Sequence, residues 1–401
     1  MRRIYLDHGA TTPVDKKVMK AMLPYFSEKY GNAMSLHSFG REALEAVDKA
    51  RKQTADFFGA DVSEIIFTSG ATESNNLTVK GILKAYYSKP ENKDIKPHII
   101  TTSFEHHCVL DACKSSQKEG LAEVTFVKPG KEGLIRVEDV EKAIKKNTIL
   151  VSVMYVNNEI GTLQPIAEIG KMLKKKNAAI LFHSDATQAI NYFDCNAKKL
   201  GVDLMSMSAH KIYGPKGIGA LYIRKGTQIM RVQDGGDQEM GKRSGTHNVP
   251  GIVGLGAAIS LISGQKKINA KIKDLRDILI KKVLAGIPDV KLNGSRIKRS
   301  PNNANFSFAR VEGESLILML DAKGIAASTG SACSSGSLKP SHVLLSIGLK
   351  SEEAHGSLRF TLGKHTTRQD IDAAVNKLKK VIEKLRKVSG KVLEDYYANK
   401  K

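Results

Sequence analysis

A chain of 401 residues, 41% hydrophobic and 26% charged, has the balance of a globular protein long enough for two domains, and no apolar run approaches the roughly 20 residues of a membrane-spanning helix. The net charge of +22 would suit an acidic partner or a nucleic acid, but the lysines are spread, aromatics are 6% and tryptophan is absent, so direct nucleic-acid binding is not expected. Four cysteines, at 108, 113, 195 and 333, are too few and scattered for a disulfide framework and fit a reducing cytoplasm.

The N-terminus, Met1-Arg2-Arg3-Ile4-Tyr5-Leu6-Asp7, lacks the apolar core of a secretory signal. Strand-like runs then alternate with helical ones. The strand 64–68 precedes a helix over 73–84, and 98–102 precedes a helix near 109–118. The strand 123–127 leads to a helix over 137–146, and 149–155 to a helix over 165–176. Strands at 179–184, 203–208 and 220–224 follow. Such alternation indicates an α/β domain with a mainly parallel sheet, whose ligands sit beyond the C-terminal strand ends. Past about 260 the pattern changes to a basic helix over 268–284, strands at 305–308 and 357–361, and a charged helix over 369–386. This reads as a second, α+β domain. The expected division is 14–260 and 261–401, with 1–13 joining the second part.

Polar clusters stand at the strand ends. Thr68-Ser69-Gly70-Ala71-Thr72-Glu73-Ser74-Asn75-Asn76 follows a strand and opens a helix. Gly70 permits a tight turn, and the helix-start N–H groups with the Thr72 hydroxyl can hold a phosphate. Glu105-His106-His107 follows the next strand, and His106 can stack on a planar ring or relay a proton. Val156-Asn157-Asn158-Glu159-Ile160-Gly161 offers amides for a carboxylate or ring hydroxyl. Asp185, in Phe182-His183-Ser184-Asp185-Ala186-Thr187-Gln188, can pair with a protonated heteroaromatic nitrogen, although taken by itself a helix cap after the strand is the more frequent use of such an acid.

Ser206-Met207-Ser208-Ala209-His210-Lys211-Ile212-Tyr213-Gly214-Pro215-Lys216-Gly217 places Lys211 at the end of an apolar strand, beside hydroxyl and imidazole groups. Desolvation and nearby cations favour a neutral amine, the form that attacks a carbonyl. Arg243-Ser244-Gly245-Thr246 ends a glycine-rich polar connection. Ser331-Ala332-Cys333-Ser334-Ser335 puts one cysteine in a Gly/Ser-rich stretch, where a thiolate nucleophile can act. Cys108 and Cys113 show no ligand pattern for a metal. Arg359 in the 357–361 strand can clamp a carboxylate.

Together these segments resemble the cysteine desulfurases of the NifS/IscS type, in the class V aminotransferase-like group of pyridoxal-phosphate (PLP) enzymes. The resemblance runs from Tyr5-Leu6-Asp7 to Leu362-Gly363. It implies the aspartate-aminotransferase-like fold, type I: a large domain with a mainly parallel sheet and a smaller α+β domain. It implies that Lys211 binds PLP covalently, Asp185 pairs with the ring nitrogen, Gln188 bonds the ring oxygen and His106 stacks on the ring. Ala71, Thr72, Ser208 and His210 match the phosphate site. Thr246 matches a threonine that reaches the other subunit's phosphate, which implies a homodimer. Asn158 and Arg359 match contacts to the substrate carboxylate. Cys333 matches the nucleophile that takes sulfur from L-cysteine as a persulfide, leaving L-alanine. Acceptors would be an iron–sulfur scaffold or, in some members, a tRNA-thiolation pathway.

Three segments depart from the family pattern: Asp7-His8-Gly9-Ala10, Gly31-Asn32-Ala33-Met34-Ser35, and Asp237 where a third glycine is common. They bear on substrate access and rate. A selenocysteine lyase, or another class V lyase or transaminase, is the alternative within the fold; a simple transaminase has no need of Cys333. A basic protein that binds nucleic acid or a partner is the alternative of another class.

Overall fold

A computed structural model describes residues 2–330 and 340–398, the last ten of these by backbone alone. Twelve strands are described: β1 (Ile4–Tyr5), β2 (Ile65–Thr68), β3 (His98–Thr102), β4 (Glu123–Val127), β5 (Thr148–Ser152), β6 (Leu181–Asp185), β7 (Leu204–Ser208), β8 (Gly219–Ile223), β9 (Val290–Asn293), β10 (Asn303–Phe308), β11 (Ile325–Ala326) and β12 (Ser357–Thr361).

Seven of them form one sheet in the order β2-β8-β7-β6-β5-β3-β4. β8 runs antiparallel to both neighbours, and the other pairings are parallel. Alternate strand residues feed opposite faces, as the two-residue period requires. Ile65, Phe67, Val151, Phe182, Met205 and Tyr222 pack with the helices Ser38–Phe58, Ile166–Lys176 and Val249–Ile262. Ile66, Ile99, Leu150, Leu204 and Leu221 pack on the other face with the helices Ala71–Tyr87 and His107–Lys118. A sheet covered on both faces explains why these runs are apolar throughout rather than alternating.

A second core gathers β9, β10 and β12 with the helices Lys266–Gly286, Gly313–Asp321 and Arg368–Ala398. The order is β12-β10-β9, and both pairings are antiparallel. β1 pairs in parallel with β11, and Ile4 and Leu6 are buried in this second core. The chain then crosses toward the large sheet, where Thr12 and Asp15 donate from their backbone N–H groups to the carbonyls of His210 and Tyr213.

Some elements differ from the sequence expectations. β5 stops at Ser152, because the Met154 N–H turns to the Glu105 carboxyl at 2.8 Å. The last helix continues to Ala398, beyond the expected 386. Helices Ser38–Phe58 and Val249–Ile262 lie outside the expected runs. They pack closely, and a side chain at Gly256 would collide with Gln53 and Ala50. Among the described residues, no helix is long and apolar enough to cross a membrane.

Candidate active site

The C-terminal ends of β2, β3, β5, β6 and β7 converge on a cavity of about 470 Å³. Each end supplies one kind of group, and the second core closes the side with Arg359.

After β2, Gly70 adopts a φ of 153° and opens the helix Ala71–Tyr87. That conformation is open to glycine and strained for other residues. Ala71 and Thr72 line the cavity with first-turn N–H groups, which lack intrahelical partners and favour an anion. Ser208 converges on the same turn: a Cβ at Gly70 would sit 3.6 Å from its Oγ. His210 also lines the cavity, its Nδ1 3.1 Å from the Thr11 hydroxyl. Burial, with Lys211 and Lys216 adding repulsion, lowers its pKa to about 4, so the ring is neutral near pH 7.

Lys211 ends the short turn Ala209–Lys211 after β7. Its Nζ donates to the carbonyls of Gly9 at 2.7 Å and Ala10 at 2.6 Å. Just beyond, Tyr213 holds a φ of 66°, which costs a non-glycine residue roughly 1 kcal/mol. The Thr12 hydroxyl accepts from its N–H, and its own hydroxyl accepts from the Lys364 N–H, both at 2.8 Å. The lysine turn is thus braced by the N-terminal crossing and by the second core.

Asp185 ends β6 and is buried. Its Oδ1 accepts from the Thr187 N–H at 2.9 Å and its Oδ2 from Asn75 Nδ2 at 2.8 Å. Gln188 Nε2 donates to the Gly9 carbonyl at 3.0 Å. The His8-Gly9 pair therefore serves packing and reach: Gly9 lies against Thr361 with no room for a side chain, and the His8 ring fills the space over Gly363. The second departure segment leaves Met34 exposed, and Asp237 pairs with Arg231 at 2.8 Å on the surface.

His106, after β3, caps the helix His107–Lys118: its ring accepts from the Cys108 N–H. A cap of this kind is worth about 1 kcal/mol. Burial lowers the His106 pKa. Beside it, Glu105 is fully buried, and burial raises its pKa to about 8.

The turn after β5 is fixed from two sides. Asn157 Oδ1 accepts from the N–H groups of Glu159 and Ile160 at 2.9 and 3.0 Å. From the second core, Asn303 and Asn305 donate to the Glu159 carbonyl, and Arg299 donates to the Ile160 carbonyl. The buried Glu159 carboxylate accepts from the Ser341 hydroxyl, and a side chain at Gly330 would collide with it. Glu159 therefore stands where the chain leaves Gly330 and where it returns at Ser341.

The cavity gathers the sequence-derived candidates Ala71, Thr72, His106 and Asn158, with Asp185, Gln188, Ser208, His210, Lys211 and Arg359. Thr246 is exposed and lies off it. Cys333 lies outside the described residues. Sequence reasoning did not single out the Gly9 and Ala10 carbonyls, Asn75, Cys108, or the Glu159–Ser341 contact. The spacing of His106 and Cys108, a cap and its second-position residue, is the one local signal among them.

Three buried atoms of cavity residues, Asn158 Oδ1, Thr187 Oγ1 and Arg359 Nε, have no hydrogen-bond partner among the described residues. Buried polar atoms are otherwise almost always satisfied, so these mark where a ligand would bond. The donor set suits a planar molecule with an anionic end at the Gly70 turn, a basic ring nitrogen at Asp185 and a carbonyl carbon at Lys211. Among the described residues, no group of three or more His, Cys, Asp and Glu could hold a metal ion.

Comparison with known proteins agrees with this geometry. The family model described as aminotransferase class-V matches residues 4–374. The cysteine desulfurase IscS of Dictyoglomus turgidum is 51% identical over 389 residues, covering 97% of this chain and 96% of its own. A solved structure of a NifS-like protein superposes with a TM-score of 0.88 at 36% identity, over 95% of this chain and all of its own. A structure of SspA in complex with cysteine gives 0.79 at 36% identity, over 91% of this chain and 100% of its own.

Proposed function

The chain belongs to the class-V aminotransferase family, and from that premise we propose that it is a PLP-dependent cysteine desulfurase. Its reaction converts L-cysteine and the Cys333 thiol to L-alanine and a Cys333 persulfide. The substrate C–S bond breaks, an S–S bond forms, and the carbon left behind gains a proton. The observation that carries the reading is the meeting of Lys211, Asp185 and His106 around one anion-binding turn.

When bound, PLP supplies an electron sink for negative charge at the substrate α-carbon. Lys211 is its covalent anchor, and the Gly9 and Ala10 carbonyls orient that amine. Asp185 keeps the ring nitrogen protonated, itself held by Asn75 and the Thr187 N–H. Ala71, Thr72, Ser208 and His210 bind the phosphate. Gln188 bonds the ring oxygen, and His106 covers the ring face and moves protons. Arg359 and Asn158 take the substrate carboxylate; the Arg359 Nε–H is a donor on that side with no partner among the described residues.

In the sequence Cys333 stands three positions past Gly330, a cavity residue. Sulfur taken from the substrate would pass from this thiol to an outside acceptor. The proposed assembly is a homodimer in which Thr246 reaches the phosphate site of the partner subunit. The proposed acceptors are proteins of iron–sulfur cluster assembly, in a cytoplasmic setting. The relatives, which carry the name cysteine desulfurase, support this reading of the substrate.

The test is stoichiometric. PLP-loaded protein given L-cysteine and a thiol reductant should yield alanine and sulfide in equal amounts. Alanine without sulfide, or turnover of other amino acids in preference, would move the reading to another class V reaction.

A further inference from the structure

Asn75 and Cys108 link two side chains of the proposed reaction, Asp185 and His106, in one continuous, partly buried network, and the reaction as proposed gives Cys108 no role. Asn75 Nδ2 donates to Asp185 Oδ2 at 2.8 Å and to Cys108 Sγ at 2.9 Å. Cys108 Sγ lies 2.9 Å from His106 Nδ1. The Cys108 backbone N–H donates to the same Nδ1 at 3.2 Å. Cys108 also lines the cavity.

The directions of these bonds follow from which atoms can only donate. A backbone N–H has no lone pair, so Nδ1 of His106 must accept from it. In a neutral ring the proton then sits on Nε2. Asn75 bonds a carboxylate and a sulfur through its Nδ2, and the acceptor-only carboxylate of Asp185 fixes the amide orientation. The sulfur accepts from Asn75 and has Nδ1 as the acceptor for its own S–H. Burial first, then the Asp185 charge, raises the Cys108 pKa, so the thiol stays protonated and can donate. Burial likewise favours the neutral His106 ring.

We infer that Cys108 is a positioning residue: with Asn75 it joins Asp185 to His106 and fixes His106 as the Nε2–H tautomer, so that His106 enters the reaction as a proton donor. The catalytic consequence rests on the proposed desulfurase reaction; the tautomer does not. Nδ1 is occupied by the helix start, so Nε2 is the ring atom left for chemistry in the cavity. A ring locked this way gives a proton before it takes one. Cys108 is here a hydrogen-bonding group and not a second nucleophile, since its thiol is held in the unreactive form.

The experiment is NMR of full-length protein with isotope-labelled histidine, with and without PLP, near neutral pH. His106→Gln identifies the His106 signals by their loss. The expected result is an Nε2–H tautomer for His106 in the presence and absence of PLP. An Nδ1–H tautomer would overturn the inference. Cys108→Ala and Cys108→Ser supply the second readout. The alanine variant should displace the pH profile of kcat and lower kcat by roughly tenfold, with KM little changed. The serine variant, which keeps a donor, should recover most of that loss. A Cys108→Ala enzyme with the parent pH profile would also overturn it; its tautomer should persist, because the backbone N–H of residue 108 remains. If the parent protein releases no sulfide from L-cysteine, the desulfurase reading fails, while the NMR result stands or falls separately.

Discussion

Asp7, on the N-terminal crossing, pairs with Arg359 of β12 at 2.9 Å in the wall of the cavity. The other terminal nitrogen of Arg359 donates to the Asn158 carbonyl at 2.9 Å. The guanidinium is thus held by an acid and a carbonyl before any substrate arrives, and its Nε has no partner among the described residues. Arg359→Lys keeps the charge and loses the fork. It should raise KM for cysteine by about 10- to 100-fold with a smaller change in kcat. Steady-state kinetics checks this, and an unchanged KM would remove Arg359 from substrate binding. Asp7→Asn leaves a buried cation without its counter-charge and should cost roughly 1–3 kcal/mol of stability in a denaturant titration.

Cofactor chemistry and sulfur capture fall on different residues in this account. Cys333→Ala should keep the yellow colour and its change on adding L-cysteine, and should lose persulfide formation and sulfide release. Persulfide labelling followed by mass spectrometry reads the outcome. Sulfide release at the parent rate would mean that another group takes the sulfur.

The Ser341 hydroxyl bonds the buried Glu159 carboxyl group, whose pKa burial raises, on the wall that also carries Gly330. Ser341→Ala removes that bond from a buried polar group, at a cost of about 1–3 kcal/mol. The expected result is a normal absorbance response to cysteine and slower sulfur release. Equal loss of both would make the contact a matter of general stability.

Glu105 titrates in an unusual direction. Burial raises its pKa from 4.5 to about 8, so the folded state holds the proton more tightly than the unfolded one. Its contribution to stability is therefore intact below the ordinary value of 4.5 and is lost as pH rises toward 8. Glu105→Gln keeps an acceptor for Thr102 Oγ1 and the Met154 N–H and cannot ionise. The variant should melt close to the parent in acid and above it in alkaline buffer. Parallel melting curves across that range would show Glu105 to ionise normally.

Much of the site was legible because it is local. Asp185 and Lys211 each follow an apolar strand directly, and Gly70 stands between a strand and a helix. Strand ends that carry polar clusters in an alternating α/β pattern must meet at one edge of the sheet. What stayed hidden is the contact between distant segments. Asp7 and Arg359 are 352 positions apart, and Glu159 and Ser341 are 182 apart. Helix Ser38–Phe58 escaped because its buried stripe is largely alanine: Ala43, Ala46, Ala50 and Ala55 carry little hydrophobic signal. Asn75 and Cys108 escaped because each reads as an ordinary helix residue until the two helices pack.

The most direct measurement is the near-visible absorbance of PLP-loaded parent protein and of Lys211→Ala, each before and after adding L-cysteine, with sulfide followed in parallel. The parent should be yellow, shift its spectrum with cysteine and release sulfide, while Lys211→Ala should bind PLP without the covalent band and release none. A Lys211→Ala protein with the parent spectrum and turnover, or a parent protein that cannot be loaded with PLP, would contradict the account at its centre.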